Sequence, residues 1–136
     1  MKLEPTDYEM MARALNLAAK SIYTSAPNPS VGCVITQNGK IVGEGYTKPA
    51  GGNHAEIEAL SRISDASDCC VYVTLEPCSH YGKTGPCAMA LIDAGVSRVV
   101  VACEDPNPLV SGKGIKMLEE AGIGVDVGLL EDQARA

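Results

Sequence analysis

The amino-acid sequence predicts an α/β protein, a three-layer α/β/α sandwich around a mixed five-stranded sheet. Two observations carry this prediction. After position 54, β-rich apolar runs alternate with segments of helical periodicity, which is typical of parallel strands joined by right-handed crossovers. Earlier, two β-rich runs flank Asn38-Gly39, a dipeptide favoured in tight hairpin turns, so the first two strands must be antiparallel. A sheet with both arrangements is mixed.

The first half of the chain predicts a helix, a hairpin and a second helix. Residues 6–22 place apolar side chains at helical spacing, with Thr6 as the N-cap and Glu9 as the other half of a capping box. Strands are expected at 31–36 and 40–46. A helix is expected at 54–63, where the apolar residues again share one face.

The second half alternates strands and helices. A buried strand is predicted at 70–75, then a polar loop at 76–86 and a helix at 88–94 that ends at Gly95. Residues 98–103 are rich in Val, as expected of a strand covered on both faces. A helix at 113–121, a strand at 123–127 and a short helix from position 130 complete the order.

Composition indicates one domain spanning residues 1–136 with an aliphatic core. The chain has 46% hydrophobic residues but no Phe and no Trp. A net charge of −6 provides no general field for attracting phosphates, so we expect no nucleic-acid partner. No apolar run approaches the roughly 20 residues of a membrane span, so we expect no membrane partner either.

Six cysteines bear on the compartment. Cys33, Cys70 and Cys103 lie in or beside apolar runs and are expected to pack as small hydrophobic residues. The first nine residues lack the basic-then-apolar order of a signal peptide, so we expect a reduced, cytoplasmic protein. A disulfide-stapled secreted domain is the alternative, and six free thiols in a titration without reductant would eliminate it.

Two short motifs carry the chemistry. His54 and Cys87 lie at or beside the start of predicted helices, and Cys78 follows a predicted strand. In open α/β sheets, sites form in the crevice beyond the carboxyl ends of the strands. One His and two Cys make a three-ligand set with an open position, the composition of a catalytic zinc (Zn²⁺) centre rather than a closed structural one.

Glu56 follows His54 by two residues and is the candidate proton shuttle. A carboxylate beside such a metal can take a proton from an activated water and deliver it to a leaving amine. This pattern matches zinc nucleobase deaminases, in which the Glu is not a ligand. The alternative is that His54 caps a helix, Glu56 is a surface charge and the cysteines pack.

The segment between Cys78 and Cys87 is unusually long. Eight residues separate the two cysteines, and they include His80 and Lys83. An imidazole and an ammonium at the mouth of the predicted site suit an anionic substrate. The alternative is a solvated loop without a role.

Through these motifs the chain resembles the deaminase domain of bacterial riboflavin biosynthesis proteins, which have a cytidine deaminase-like fold. The resemblance runs from about Tyr8 to Ala134 and rests on the segments 27–35, 51–56, 72–87 and 104–114. It implies zinc on His54, Cys78 and Cys87, with Glu56 as the proton shuttle. It also implies a small-molecule substrate, 2,5-diamino-6-(5-phosphoribosylamino)pyrimidin-4(3H)-one, deaminated at ring position 2, and a homo-oligomer.

The resemblance further implies five substrate contacts: Asn28, His80, Lys83, Asp105 and Asn107. Lys83 is the first choice for the ribose phosphate. For Asn28, Asp105 and Asn107 the alternative is turn chemistry, because Asn-Pro and Asp-Pro are ordinary turn formers.

Three departures from the resemblance matter, and the first two leave the substrate open. Thr47 and Glu58 stand where the family commonly has His. The sequence stops where the reductase domain of most bacterial members would begin, so it is either a stand-alone deaminase or an excised domain, and we expect no nicotinamide site in it. A deaminase for cytosine, guanine, a tRNA adenosine or a pteridine-like metabolite therefore remains an alternative. So does a non-catalytic zinc-stabilised partner subunit.

Overall fold

A computed structural model describes residues 3–21, 29–49, 53–79 and 87–135. These residues form one five-stranded sheet with strand order β2-β1-β3-β4-β5. Strand β1 pairs antiparallel with both β2 and β3, whereas β3, β4 and β5 are mutually parallel. The elements are α1 (Pro5–Ala19), β1 (Gly32–Gln37), β2 (Lys40–Tyr46), α2 (Ala55–Leu60), β3 (Cys70–Val73), α3 (Cys87–Ala94), β4 (Arg98–Val101), α4 (Lys113–Glu120), β5 (Gly124–Val127) and α5 (Glu131–Arg135).

The hairpin between β1 and β2 turns at the dipeptide that predicted it. Asn38 has φ 52° and Gly39 has φ 79°, the left-handed pair that a two-residue type I′ turn requires. The pairing register shifts once, between Ile35 and Thr36. The predicted hairpin is confirmed.

The sheet separates two apolar layers, which confirms the three-layer sandwich. One layer is built from alternate strand residues such as Ile35, Val71 and Val99, with residues from α2, α3 and α4. The other layer contains the intervening strand residues Val34 and Tyr72, packed against α1 and the segment around α5. Without Phe or Trp, the core of the described residues is made mainly of Val, Ile, Leu, Ala, Met and Cys, with Tyr72 beside them.

The start of α1 differs from the prediction. The helix begins at Pro5, and the side chain of Asp7 accepts the backbone N–H of Glu4 at 2.8 Å. The predicted pair Thr6 and Glu9 is therefore wrong as a capping box. Proline favours the first helical position, because its fixed φ suits a helix and its missing N–H would have no partner there.

The strand and helix ends beside the candidate site are shorter than predicted. Strands β3 and β4 end at Val73 and Val101, two residues before the predicted ends at 75 and 103. The backbone continues beside its neighbour, since the N–H of Glu76 donates to Cys103 O at 2.9 Å. Helix α2 begins after His54, which takes the extended N-cap conformation.

A cluster of charged and polar side chains joins α1 to the three parallel strands. The Asp7 carboxylate is buried and accepts the Tyr72 hydroxyl at 2.6 Å and Arg98 Nη1 at 3.0 Å. Arg98 also contacts Asp126 on β5 at 2.8 Å. This Asp7–Tyr72–Arg98–Asp126 cluster thus ties α1 to β3, β4 and β5.

All six cysteines are free thiols, so no disulfide supports the fold. Cys33 and Cys103 are buried in the core, while Cys70 is half-buried. Across the part of the chain that the structure describes, no helix is both long enough and apolar enough to cross a bilayer.

Candidate active site

The candidate site lies at the carboxyl end of the parallel strands, where the sequence placed it. Cys78 follows β3, Asp105 follows β4, and His54 is the N-cap of α2. Because β3 and β4 are parallel and adjacent, the segments that leave them lie at one edge of the sheet. The local folding of three separate elements therefore brings these side chains together.

His54, Cys78 and Cys87 form the single group in the described ranges whose donor atoms could hold a metal ion. Their ligand atoms all lie within 4.8 Å of one another. His54 Nδ1 is 3.1 Å from Cys87 Sγ, and the backbone N–H of Cys87 donates to Cys78 Sγ at 3.1 Å. One imidazole and two thiols converging on one point are a donor set that fits zinc.

The two thiols share hydrogen bonds that prepare one of them for ionisation. The Cys87 side chain lowers the pKa of Cys78 by hydrogen bonding, and the backbone N–H of Cys87 and the nearby His54 act in the same direction. The Cys78 carbonyl accepts the N–H of Ala88, so Cys78 faces the first turn of α3. The positive end of that helix favours a thiolate there.

Glu56 is buried in the first turn of α2, with 4% of its surface exposed. Burial raises the pKa of its carboxyl group to about 7, against the opposing effect of a backbone N–H. A carboxyl group with this pKa exchanges protons readily near neutral pH. Glu56 is thus suited to act as both acceptor and donor of a proton.

A cavity of about 170 Å³ brings Glu56 together with the metal-binding group. His54, Glu56 and Cys78 line it, with Thr47 and Asp105 at other parts of the wall. The remaining lining residues are Pro29, Val31, Leu75 and Glu76. The cavity therefore combines an apolar wall with a few converging polar groups, the usual composition of a small-molecule site.

The two departures, Thr47 and Glu58, have different surroundings. Thr47 is a buried wall residue whose hydroxyl accepts the Val31 N–H at 3.0 Å. Glu58 is not among the cavity lining residues; its carboxylate accepts a hydrogen bond from Asn53 Nδ2 at 3.2 Å. Of these two positions, Thr47 is therefore the one with direct access to the cavity.

Of the five predicted substrate contacts, two can be located. Asp105 lines the cavity, and its carboxylate also accepts the Asn107 N–H at 2.9 Å. Asn107 is exposed and accepts the Leu109 N–H at 3.0 Å, so both side chains perform turn chemistry as well. Asn28, His80 and Lys83 lie outside the described residues.

Sequence reasoning missed the role of Glu76. Its carboxylate is buried beside the cavity and accepts four backbone N–H groups from the segment that follows β4. The sequence signal was weak: a charged residue directly after a buried strand, with its partners 29 to 39 residues further along the chain.

Comparison with known proteins agrees with this geometry. Residues 4–103 match the family model of the cytidine and deoxycytidylate deaminase zinc-binding region. The described fold superposes on Acinetobacter baumannii RibD with a TM-score of 0.93 and 51% identity, covering 95% of this chain and 36% of that one. A dCMP deaminase from the cyanophage S-TIM5 shares the fold, with a TM-score of 0.72 and 21% identity.

Curated relatives are closely similar in sequence. The riboflavin biosynthesis protein RibD of Haemophilus influenzae is 56% identical over 98% of this chain, and this chain spans 36% of that relative. The diaminohydroxyphosphoribosylamino-pyrimidine deaminase of Buchnera aphidicola (subsp. Schizaphis graminum) is 49% identical over 92% of this chain and 86% of its own length.

Fold, site and relatives together place this chain in the cytidine deaminase-like class, a class of hydrolytic deaminases. Within that class, the chain belongs to the family of riboflavin biosynthesis deaminases. It spans about a third of the length of the RibD relatives and most of the length of the Buchnera deaminase.

Proposed function

We propose that this chain hydrolyses the 2-amino group of 2,5-diamino-6-(5-phosphoribosylamino)pyrimidin-4(3H)-one, with zinc on His54, Cys78 and Cys87 and with Glu56 as the proton shuttle. The observation that carries the proposal is the buried Glu56 carboxyl group, which lines the same cavity as His54 and Cys78, two members of the His/Cys/Cys group. The proposed substrate is based on the Buchnera relative, which is similar to this chain over most of its length and is named as a deaminase of a diaminohydroxyphosphoribosylamino-pyrimidine.

Hydrolysis of an aromatic amine consumes one water and releases ammonia, so protons must move from the water to the ring and to the departing nitrogen. Zinc bound by the three side chains would act as a Lewis acid and lower the pKa of a water to about 7. Glu56 receives the proton that leaves the water and passes it to the substrate. The same carboxylate then carries the second proton of that water from the new hydroxyl group to the amino nitrogen, which leaves as ammonia when the C–N bond breaks and the carbonyl forms, so one residue serves both halves of the reaction.

The cavity wall supplies the binding groups. Asp105 presents a carboxylate that suits the amino and ring N–H groups of a diaminopyrimidinone. Apolar residues such as Val31 and Leu75 suit the faces of a planar ring. Lys83 remains the predicted partner of the ribose phosphate, with His80, Asn28 and Asn107 as further predicted contacts.

The deciding measurement is ammonia release by the zinc-loaded protein. The phosphoribosylated diaminopyrimidinone is offered beside cytosine, cytidine, dCMP and guanine. We expect release from the phosphoribosylated diaminopyrimidinone alone. Release from one of the other four instead would refute the substrate while keeping the deaminase chemistry. No release from any of them, with zinc bound, would favour a non-catalytic partner subunit.

Two further properties belong to the proposal. We expect the chain to act as a single-domain homo-oligomer, which sedimentation equilibrium of the purified protein would test. We also expect it to work in the reduced cytoplasm, in agreement with its six free thiols.

A further inference from the structure

Glu76 is among the residues that line the cavity, but its carboxylate is hydrogen-bonded to backbone N–H groups of the protein. Oε1 accepts the N–H groups of Asp105 and Gly112, each at 3.0 Å. Oε2 accepts those of Gly114 at 2.8 Å and Ile115 at 3.2 Å. A carboxylate offers about four acceptor positions, so backbone donors occupy the whole capacity of this side chain. Glu76 therefore has no capacity left for substrate or metal.

Two of these donors belong to the first turn of α4. The N-cap of α4 is Gly112, which has no side chain to satisfy the first N–H groups of the helix. Glu76 satisfies the N–H groups of Gly114 and Ile115 from a distant part of the chain. Its negative charge also lies at the positive end of the helix, where it is stabilised.

The α4 terminus packs directly on the peptide that leads to Cys78. A Cβ atom on Gly114 would lie 1.9 Å from the carbonyl oxygen of Pro77, so only glycine allows this approach. Pro77 is fully buried. Glu76 thus joins the Pro77 peptide, the start of α4 and the loop after β4 into one unit.

That loop contains Asp105, the wall residue proposed to bind the substrate. The Asp105 N–H is held by Glu76 Oε1, and the Asp105 carboxylate is oriented in turn by the Asn107 N–H. We propose that Glu76 is a positioning residue, which fixes the loop after β4 so that Asp105 faces the substrate. This inference rests on the proposed function, because it concerns how the same cavity binds its substrate.

The test is Glu76→Gln in the zinc-loaded protein, alone and combined with Asp105→Ala. The amide of Gln replaces one acceptor oxygen by an N–H₂ group that faces backbone donors, so the loop loses its anchor. We expect KM to rise about 10-fold, kcat to change by less than about threefold and zinc content to stay unchanged. In the Asp105→Ala background, the same substitution should change KM by less than about twofold, because Glu76 acts through Asp105.

A purely structural role would give a different result. Partial unfolding lowers the fraction of active protein and hence the apparent kcat, but it leaves KM unchanged. Glu104→Gln is the matched control, since Glu104 lies on the same loop but is exposed, and among the described residues its carboxylate accepts a hydrogen bond only from the Ser111 hydroxyl. An unchanged KM in Glu76→Gln, or an equal rise in both backgrounds, would overturn the inference.

Amide hydrogen exchange separates this inference from the proposed function. We expect the N–H groups of Asp105 and Gly112 to exchange faster in Glu76→Gln than in the wild type or Glu104→Gln. Unchanged exchange would refute the positioning role whatever the substrate is. A wild type that releases no ammonia from the diaminopyrimidinone refutes the function, and the exchange result then decides the positioning role alone.

Glu76→Asp serves as a second variant should Glu76→Gln not fold. It keeps the charge but is one methylene shorter, so it cannot reach all four donors. We expect an intermediate rise in KM and intermediate exchange rates, and wild-type values for both would contradict the inference.

Discussion

At the scale of single residues, Glu56 and Glu58 form a natural pair for testing the proton shuttle. Glu56 lines the cavity and is buried, whereas Glu58, two residues later on α2, is absent from the cavity wall. We expect Glu56→Gln to retain zinc and to lower kcat by at least about 100-fold, because the amide cannot carry a proton. Zinc content and ammonia release measure the two effects.

The control for this prediction is Glu58→Gln. It removes one negative charge from the same helix without entering the cavity, and it should leave kcat within about threefold of the wild type. If both variants lost activity equally, the loss would reflect the charge of α2 rather than a proton transfer. If Glu56→Gln stayed active, Glu56 would have no part in the mechanism.

The phosphate assignment of Lys83 is a second prediction at this scale. Lys83→Ala should raise KM much more for the phosphorylated substrate than for its dephosphorylated form, because only the first carries the charge that an ammonium attracts. Steady-state kinetics with both compounds checks it. Lys40→Ala, in the exposed hairpin, is the control. Equal effects of Lys83→Ala on both compounds would refute the assignment.

At the scale of elements, Gly114 tests how closely α4 approaches the Cys78 segment. We expect Gly114→Ala to lower the free energy of unfolding by about 1–3 kcal/mol, because the added Cβ overlaps the Pro77 carbonyl oxygen. Gly124→Ala on β5 is the matched control, since the nearest described atom to its Cβ would be Ser97 O at 3.9 Å. Urea unfolding of both variants measures the difference, and equal stability would contradict the packing.

Elements and site differed in how far the sequence could predict them. Local signals predict three features: a turn dipeptide predicts the hairpin, periodicity predicts the order of helices and strands along the chain, and motif residues at element junctions predict the His54/Cys78/Cys87 group. The start of α1 was misplaced because Thr6 and Glu9 match the spacing of a capping box, while Pro5 and Asp7 prevail in the fold.

Glu76 shows what local signals cannot provide. Its four partners follow 29 to 39 residues later. They are backbone N–H groups, which every residue except proline carries, so the sequence does not mark them. Likewise, Thr47 differs from the family pattern in sequence, but only the fold shows that its hydroxyl holds the Val31 N–H in the cavity wall.

At the scale of the whole molecule, the Asp7–Tyr72–Arg98–Asp126 cluster predicts how stability depends on pH. Burial alone would raise the pKa of Asp7, but hydrogen bonds from Tyr72, the Glu4 N–H and Arg98 together hold it below its usual value. A folded pKa below the unfolded value of about 3.9 means that the cluster stabilises the fold fully above about pH 4. The contribution is lost as the pH falls further, through the folded pKa of Asp7.

The measurement is the free energy of unfolding of the wild type and Asp7→Asn between pH 7 and pH 3. We expect the wild type to be the more stable at pH 7, and the difference to shrink below about pH 4, where Asp7 becomes protonated in the unfolded chain. Zinc release in acid should affect both proteins alike, because Asp7 lies on α1, which packs on the opposite face of the sheet from α2 and α3, so the difference isolates the cluster. A difference that stays constant with pH would mean that Asp7 stabilises the molecule by its shape and not by its charge.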